Sequence, residues 1–224
     1  MFKNKEELKS ILKRISISDK DVRFSISYLF RIKIDAKYLL IKGGRIEQYQ
    51  PIGGVYKYND LFLSKIEEWG IMNDEGNIPL DDASKKDLRV RVPKKYVSKF
   101  IKWFESKKDR ETSVFREFEE EVLNEIPEKS YLFSNSLFQP RFIRRNNNGL
   151  KYSKHFDCYE ILIADIFEIV LTKEQETVLE ELVSKNTDFI LVSAKDIERD
   201  HFMENGMSYR IGEHTKETLE NGGK

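Results

Sequence analysis

The sequence predicts an α/β protein built as one domain, residues 1–224, and patterns in three parts of the chain are the basis of that prediction. Between Val22 and Ile34 the apolar residues alternate with other residues, which is typical of a β-strand. Residues 97–104 instead carry apolar side chains at helical spacing, and Thr172 followed by Gln175 matches a helix capping box. We find neither an internal repeat nor a clean linker that would divide the chain.

The other elements follow from the same periodicities and from turn-forming residues. Further strands are predicted at 38–41, 48–55, 88–92, 132–144, 152–171 and 188–193. Helices are predicted at 4–16, 59–69, after Pro93, at 112–124, after Thr172, and in short pieces near 194–200 and 213–220. A polar, turn-rich segment spans 73–86, and the sequence Asn146-Asn147-Asn148-Gly149 is predicted to be the turn between two strands.

Composition restricts the classes of function. Lys+Arg and Asp+Glu are equal at 39 each, so the formal net charge is zero and a binder of long nucleic acids is not expected. The single cysteine, Cys158, excludes an intrachain disulfide and favours a reducing cytoplasm. We expect no signal peptide and no membrane span, because the N-terminus lacks an apolar core and no apolar run approaches ~20 residues.

The most informative motif is the run from Arg116 to Glu121, in which Glu117, Glu120 and Glu121 are spaced to share one face of a helical turn. Like charges at this spacing repel, and a divalent cation such as Mg²⁺ or Mn²⁺ would be a suitable counter-ion. Arg116 is placed to pair with Glu120 or Glu119 on the same helix. The alternative interpretation is an acidic helix face that is simply solvated.

The order of these residues resembles the Nudix box, whose core reads Arg-Glu-U-x-Glu-Glu, where U is a bulky aliphatic residue. Arg116, Glu117, Glu120 and Glu121 match it position by position, with Phe118 at the first U. The resemblance implies that Glu120 and Glu121 are metal ligands, that Glu117 is a third ligand or the base for the attacking water, and that Arg116 is an orienting partner.

Further landmarks agree with this resemblance. Gly53 and Gly54 end a strand upstream of the helix, and the resemblance implies that their backbone approaches the phosphates of a substrate. Residues 188–197 resemble the strand and short helix that commonly end a Nudix fold. The implied architecture is an α/β/α sandwich with a mixed sheet. A long insertion at 56–108 would form an inserted subdomain.

The chain also departs from the box. Between Gly54 and Lys108 lie 53 residues, where the box has only a few. Lys108 stands where the box has a glutamate, so Asp109 or Glu111 could take that role, or Arg116 could have a different partner. Leu123 and Asn124 replace the final glycine and aliphatic residue of the box.

The combination of the long insertion, the segment Arg89-Val90-Arg91-Val92-Pro93 and the run from Lys102 to Glu111 resembles the SMODS-associated Nudix family. Members of that family are found in bacterial defence loci beside synthases of nucleotide second messengers. This resemblance implies a nucleotide-type small molecule as ligand. A second copy of the chain, in a homodimer, is a further possible partner. Two basic clusters could hold its phosphates: Arg89, Arg91, Lys94 and Lys95, and Arg141, Arg144 and Arg145.

We therefore expect a Mg²⁺- or Mn²⁺-dependent hydrolase that cleaves a phosphoanhydride in a nucleotide or a nucleotide-derived signal. Glu117 and Arg116 are the candidate catalytic residues. Glu117, Glu120 and Glu121 are the candidate metal ligands, and Gly53, Gly54 and Arg141 are the candidate substrate-binding residues. The alternatives are a nucleotide-binding sensor that has the fold without turnover, and an interaction module with a solvated glutamate face.

Overall fold

A computed structural model describes residues 21–44, 46–74, 85–134, 138–204 and 206–220, together with Lys9 and Lys13. The helix predicted at 4–16 lies outside the described residues apart from those two lysines, and the segment predicted at 73–86 is described only at its ends. Among the described residues, no helix combines the length and the apolar character that crossing a bilayer requires.

The described residues form both strands and α-helices, which confirms the predicted α/β class. The strands are β1 Val22–Ile34, β2 Lys37–Lys42, β3 Tyr49–Gln50, β4 Gly53–Val55, β5 Met72–Asn73, β6 Arg89–Val92, β7 Arg141–Ser153, β8 Cys158–Ile169, β9 Phe189–Val192, β10 His201–Glu204 and β11 Met207–Arg210. The α-helices are α1 Leu63–Trp69, α2 Val97–Ser106, α3 Phe115–Glu121, α4 Lys173–Lys185 and α5 Ala194–Glu198. Short 3-10 helices cover Asp60–Phe62, Lys94–Tyr96, Leu123–Glu125, Pro127–Phe133 and Glu213–Thr218.

The chain divides into two compact units. The first contains the described residues up to Ser27, residues 55–113 and residues 145–164. Within it the start of β1 pairs antiparallel with β6, and β6 pairs with β5. Helix α2 buries its apolar side in this unit, and Phe100 lies 4.8 Å from Phe24 between ring centroids. The inserted subdomain at 56–108 stays a prediction.

The second unit contains residues 28–54, 114–144 and 165–220. Here β2 pairs antiparallel with the end of β1, with β3 and with β9. Helix α4 begins at the predicted capping box: Oγ1 of Thr172 accepts a hydrogen bond from the Gln175 N–H, and the Gln175 side chain accepts one from the Thr172 N–H. The capping box thereby satisfies two backbone donors where α4 begins.

Predictions about several elements were wrong, including the strand predicted at 152–171, which begins only at Cys158 because residues 152 and 153 end β7. The turn predicted at 146–149 lies inside β7, where Gly149 has a φ of 65° and its N–H donates to Oδ1 of Asn147. The strand predicted at 132–144 begins only at Arg141, because its first residues belong to the 3-10 helix Pro127–Phe133. The glutamate helix, predicted at 112–124, is limited to Phe115–Glu121. The hairpin of β10 and β11 was not predicted at all.

Candidate functional site

Helix α3 has two chemically different sides, and the apolar side fixes it in the second unit. Phe118 is 0% exposed, and its ring centroid lies 4.3 Å from that of Phe138 and 5.5 Å from that of Phe133. Phe30 on β1 makes an edge contact with Phe118 at 6.2 Å. Since this aromatic cluster holds one side of α3, the glutamates are presented on the other.

The first contact of the glutamates is with the glycines at the start of β4. The N–H of Gly53 donates a hydrogen bond of 3.1 Å to Oε2 of Glu121. Gly53 has a φ of 150°, and a Cβ at this position would lie 2.3 Å from the carbonyl oxygen of Tyr28. Position 53 therefore requires glycine, both for its backbone conformation and for its close approach to β1.

The second contact joins Gly54 to Glu117. A Cβ at position 54 would lie 1.9 Å from Oε1 of Glu117, a distance that no real Cβ adopts. The Glu117 side chain is only 15% exposed, so the space left by the absent Cβ is the space that this carboxylate occupies. Because Glu117 and Glu121 both contact the glycines, the interpretation of the whole glutamate face as solvated is wrong.

Arg116 connects two of the carboxylates. Its Nη1 lies 2.5 Å from Oε1 of Glu117 and 3.2 Å from Oε2 of Glu120, while its Nη2 lies 3.5 Å from the hydroxyl of Tyr28. The predicted pair with Glu120 is thus confirmed, and the contact with Glu117 is an addition. Glu120 is the most open of the three glutamates, with a side chain that is 54% exposed.

Glu121 has the most perturbed acidity in this arrangement. Its pKa is raised from 4.5 to about 8, mainly by burial and in smaller part by the negative charges of Glu117 and Glu120. The hydrogen bond from Gly53 and the positive charge of Arg116 act in the opposite direction. An added cation beside Glu121 would stabilise its anionic form, since an opposite charge within a few ångströms lowers the pKa of a carboxyl group.

The donor set fits a hard divalent cation, because carboxylate oxygens are the ligands that Mg²⁺ and Mn²⁺ prefer. Their present arrangement is not a preformed metal cage: among the described residues, no group of three or more His, Cys, Asp or Glu side chains converges on a metal position. The guanidinium of Arg116 lies against two of the carboxylates. Metal binding at these glutamates would therefore require side-chain rearrangement around Arg116.

Other predicted residues lie elsewhere. Arg141, at the start of β7, forms an ion pair with Glu168 on β8, and none of its described contacts reaches the glutamate helix. Lys108 belongs to the first unit, where its N–H donates to Oγ of Ser106. In the same unit Asp109 pairs with Lys65 at 2.8 Å, and Oε2 of Glu111 accepts a hydrogen bond from the Lys57 N–H.

Sequence reasoning did not find the role of Tyr28 as a partner of Arg116. In the sequence Tyr28 is one of several alternating residues on β1. The structure buries it completely, with its hydroxyl directed toward Arg116. The close approach of Gly53 to the Tyr28 carbonyl is a feature of the fold, and no local pattern in the sequence signals it.

A family model described as the SMODS-associated NUDIX domain matches residues 21–219. No curated protein matches the chain, and no solved structure matches it. The match covers the glycines, the glutamate helix and the closing strand β9 together, and it spans far more than half of the chain. The chain therefore belongs to the SMODS-associated Nudix family and has a Nudix fold.

Proposed function

We propose that this protein is a Mg²⁺- or Mn²⁺-dependent Nudix-type hydrolase that cleaves a phosphoanhydride bond in a nucleotide or a nucleotide-derived signal. The observation that carries the proposal is the contact of two α3 glutamates with consecutive glycines, Glu121 with Gly53 and Glu117 with Gly54. Such a contact places carboxylates beside backbone that lacks side chains. A phosphate chain can approach backbone of this kind closely.

The roles follow from the surroundings of each residue. Glu120, Glu121 and Glu117 would hold the cation, which when bound stabilises charge on phosphate oxygens and lowers the pKa of a bound water. Glu117 is also the candidate base, because its carboxylate lies at Gly54 and next to Arg116. Arg116 orients Glu117 and Glu120, and it is in turn contacted by the hydroxyl of Tyr28.

The test is an assay of the full chain with Mg²⁺ or Mn²⁺ against nucleoside triphosphates, dinucleotides and cyclic oligonucleotides, with products and binding read in parallel. Glu120→Gln is expected to lower metal-dependent cleavage by at least about 100-fold. Glu119→Gln is the matched control, because Glu119 is exposed on the same helix and outside the contacts described. Equal cleavage by both variants would contradict the proposed site.

A second candidate function is a nucleotide sensor that binds without turnover. The observation that favours it is the pairing of Arg116 with Glu117 and Glu120, which neutralises part of the charge that a metal would use. Lys108 and Leu123, which depart from the box, favour it too. Saturable binding of a nucleotide without any cleavage in the same assay would select the sensor, and neither binding nor cleavage would exclude both functions.

We further propose that the protein acts in the cytoplasm within a bacterial antiphage defence system, on a small molecule and not on a long nucleic acid. Support comes from the family and from the balanced charge of the chain. A phage-plating assay of the intact defence locus, carrying either the wild type or Glu120→Gln, tests this role. Equal protection by the two loci would show that defence does not depend on catalysis at this site.

A further inference from the structure

A second cleft, with a volume of about 500 Å³, lies in the second unit between the segment that leads into β3 and strand β11. Its lining includes Gln48 and Tyr49 on one side and Tyr209 and Arg210 on the other. The volume is within the roughly 300–1,000 Å³ typical of small-molecule sites. None of the residues that line it belongs to the glutamate helix or to the pair of glycines.

A buried amide faces this cleft. Gln48 is 8% exposed, and its backbone is fixed by bonds from its N–H to the Ile46 carbonyl and from the Gly43 N–H to its own carbonyl. The amide lies against Gly212, where a Cβ would be 2.6 Å from Nε2 of Gln48. The amide carries two donor hydrogens and an acceptor oxygen, so it can bond to the edge of a ligand that offers complementary groups.

Aromatic rings form a rigid wall of the same cleft. The ring of Tyr209 is stacked on Phe202, with centroids 5.0 Å apart and an angle of 18° between the planes. Tyr49 meets both rings edge-on, and its hydroxyl is held by the carbonyl of Thr187 at 2.7 Å. Because these rings are fixed by one another, they offer a flat surface to a planar ligand at little entropic cost.

Two basic side chains of the lining can contact an anion. Lys42 and Arg210 are exposed, and they lie on separate strands, since Lys42 ends β2 and Arg210 belongs to β11. Glu47 is the acidic residue among the described residues of the lining, and Asp188 and Glu204 also act electrostatically on Tyr49. An anion in the cleft would therefore be held by direct contact with Lys42 and Arg210.

We propose that this cleft is a second ligand site, which binds a planar heteroaromatic ring that carries a phosphate group, as a nucleoside monophosphate does. Tyr209 stacks on the ring, Gln48 hydrogen-bonds to its edge, and Arg210 with Lys42 binds the phosphate. The inference goes beyond the proposed hydrolase function. It requires no metal, and it holds whether or not the glutamate helix is catalytic.

The test is calorimetric titration of the full chain with each common nucleoside monophosphate in EDTA, so that no metal is present. We expect saturable binding with a Kd below about 1 mM for at least one of them. Arg210→Gln is expected to weaken that binding at least about tenfold, and Tyr209→Leu should do the same while keeping an apolar contact with Phe202. Arg199→Gln is the matched control, since it removes the same charge at an exposed position outside the cleft.

Fragments of the ligand and a variant of the glutamate helix test the proposal further. Ribose 5-phosphate and the free nucleosides should bind at least about tenfold more weakly than the monophosphate, since each lacks one of the two recognised groups. Equal binding of either fragment, or no saturable binding of any monophosphate, would overturn the inference. Glu120→Gln should leave the Kd unchanged. If Glu120→Gln abolishes binding while Arg210→Gln does not, the ligand sits at the glutamate site instead.

Discussion

The N–H of Gly53 donates a hydrogen bond of 3.1 Å to Oε2 of Glu121, a residue 68 positions away along the chain. This bond joins the first residue of β4 to the last residue of α3. Together with the approach of Glu117 to Gly54, it defines the candidate site more sharply than the charge of the glutamates alone.

Gly54→Ala is expected to displace Glu117, because the added Cβ would lie 1.9 Å from its Oε1. We expect Mn²⁺ affinity, measured by electron paramagnetic resonance, to fall at least about tenfold and the unfolding free energy to fall by about 1–3 kcal/mol. Gly44→Ala is the control, since a Cβ there has no atom within 4 Å. Equal affinities of the two variants would show that Glu117 does not depend on the glycine.

Glu121 should make the stability of the metal-free protein fall as pH rises. Its pKa is about 8 in the folded chain and near 4.5 when unfolded. The stability from the protonated form is therefore complete below the unfolded pKa and is lost as pH rises through about 8. Glu121→Gln cannot titrate and keeps an oxygen for the Gly53 N–H.

We expect urea unfolding in EDTA, compared at about pH 6 and about pH 9, to show a smaller loss of stability for Glu121→Gln than for the wild type. Glu119→Gln, which removes an exposed carboxylate from the same helix, should behave like the wild type. A wild-type protein whose unfolding free energy is the same at both pH values would contradict the perturbed acidity of Glu121.

Phe118→Ala should remove the packing that holds α3. The fully buried ring contacts Phe138, Phe133 and Phe30, so the cavity should lower the unfolding free energy by about 3–5 kcal/mol. Phe142→Ala is the comparison, since that ring is half exposed and should cost less than about 1.5 kcal/mol. Chemical denaturation measures both, and similar losses would argue against the aromatic cluster as the anchor of the helix.

Arg31 should hold the last described turn to β1. Its Nε donates to the carbonyl of Thr218 at 2.5 Å and its Nη2 to that of Leu219 at 2.8 Å. Arg31→Lys cannot make this forked contact, so hydrogen exchange across 213–219 should accelerate at least about tenfold. Lys33→Gln, which breaks the ion pair with Glu220 and the contact of the ammonium with the Tyr38 ring but neither carbonyl contact of Arg31, should leave that exchange nearly unchanged.

The sequence predicted what regular periodicity encodes and missed what depends on local exceptions. β1 was predicted with its observed bounds because its alternation is unbroken from Val22 to Ile34. β7 was misplaced because Gly149 was interpreted as a turn residue, whereas its positive φ is accommodated inside the strand by the bond to Asn147. The same short sequence can form either a true turn or a local deviation inside a strand.

At the candidate site, the order of residues singles out three glutamates but does not specify how they are held. The pair of Arg116 with Glu120 follows from helical spacing. Its contact with Glu117 does not, because neighbouring residues on a helix do not normally face each other. Close approaches such as Glu117 to Gly54 depend on the packing of elements that are distant in sequence, and no local pattern specifies them.

Tyr49 to Gly54 is a short stretch of chain with one end in the second cleft and the other at Glu117 and Glu121. Between the ends, the carbonyl of Ile52 is bonded to the N–H of Phe30, and the Ile52 side chain is fully buried. An inserted or deleted residue before Gly53 would shift the register of β4 and move both glycines away from the two carboxylates. The length of this segment and its glycines at 53 and 54 should therefore tolerate change least.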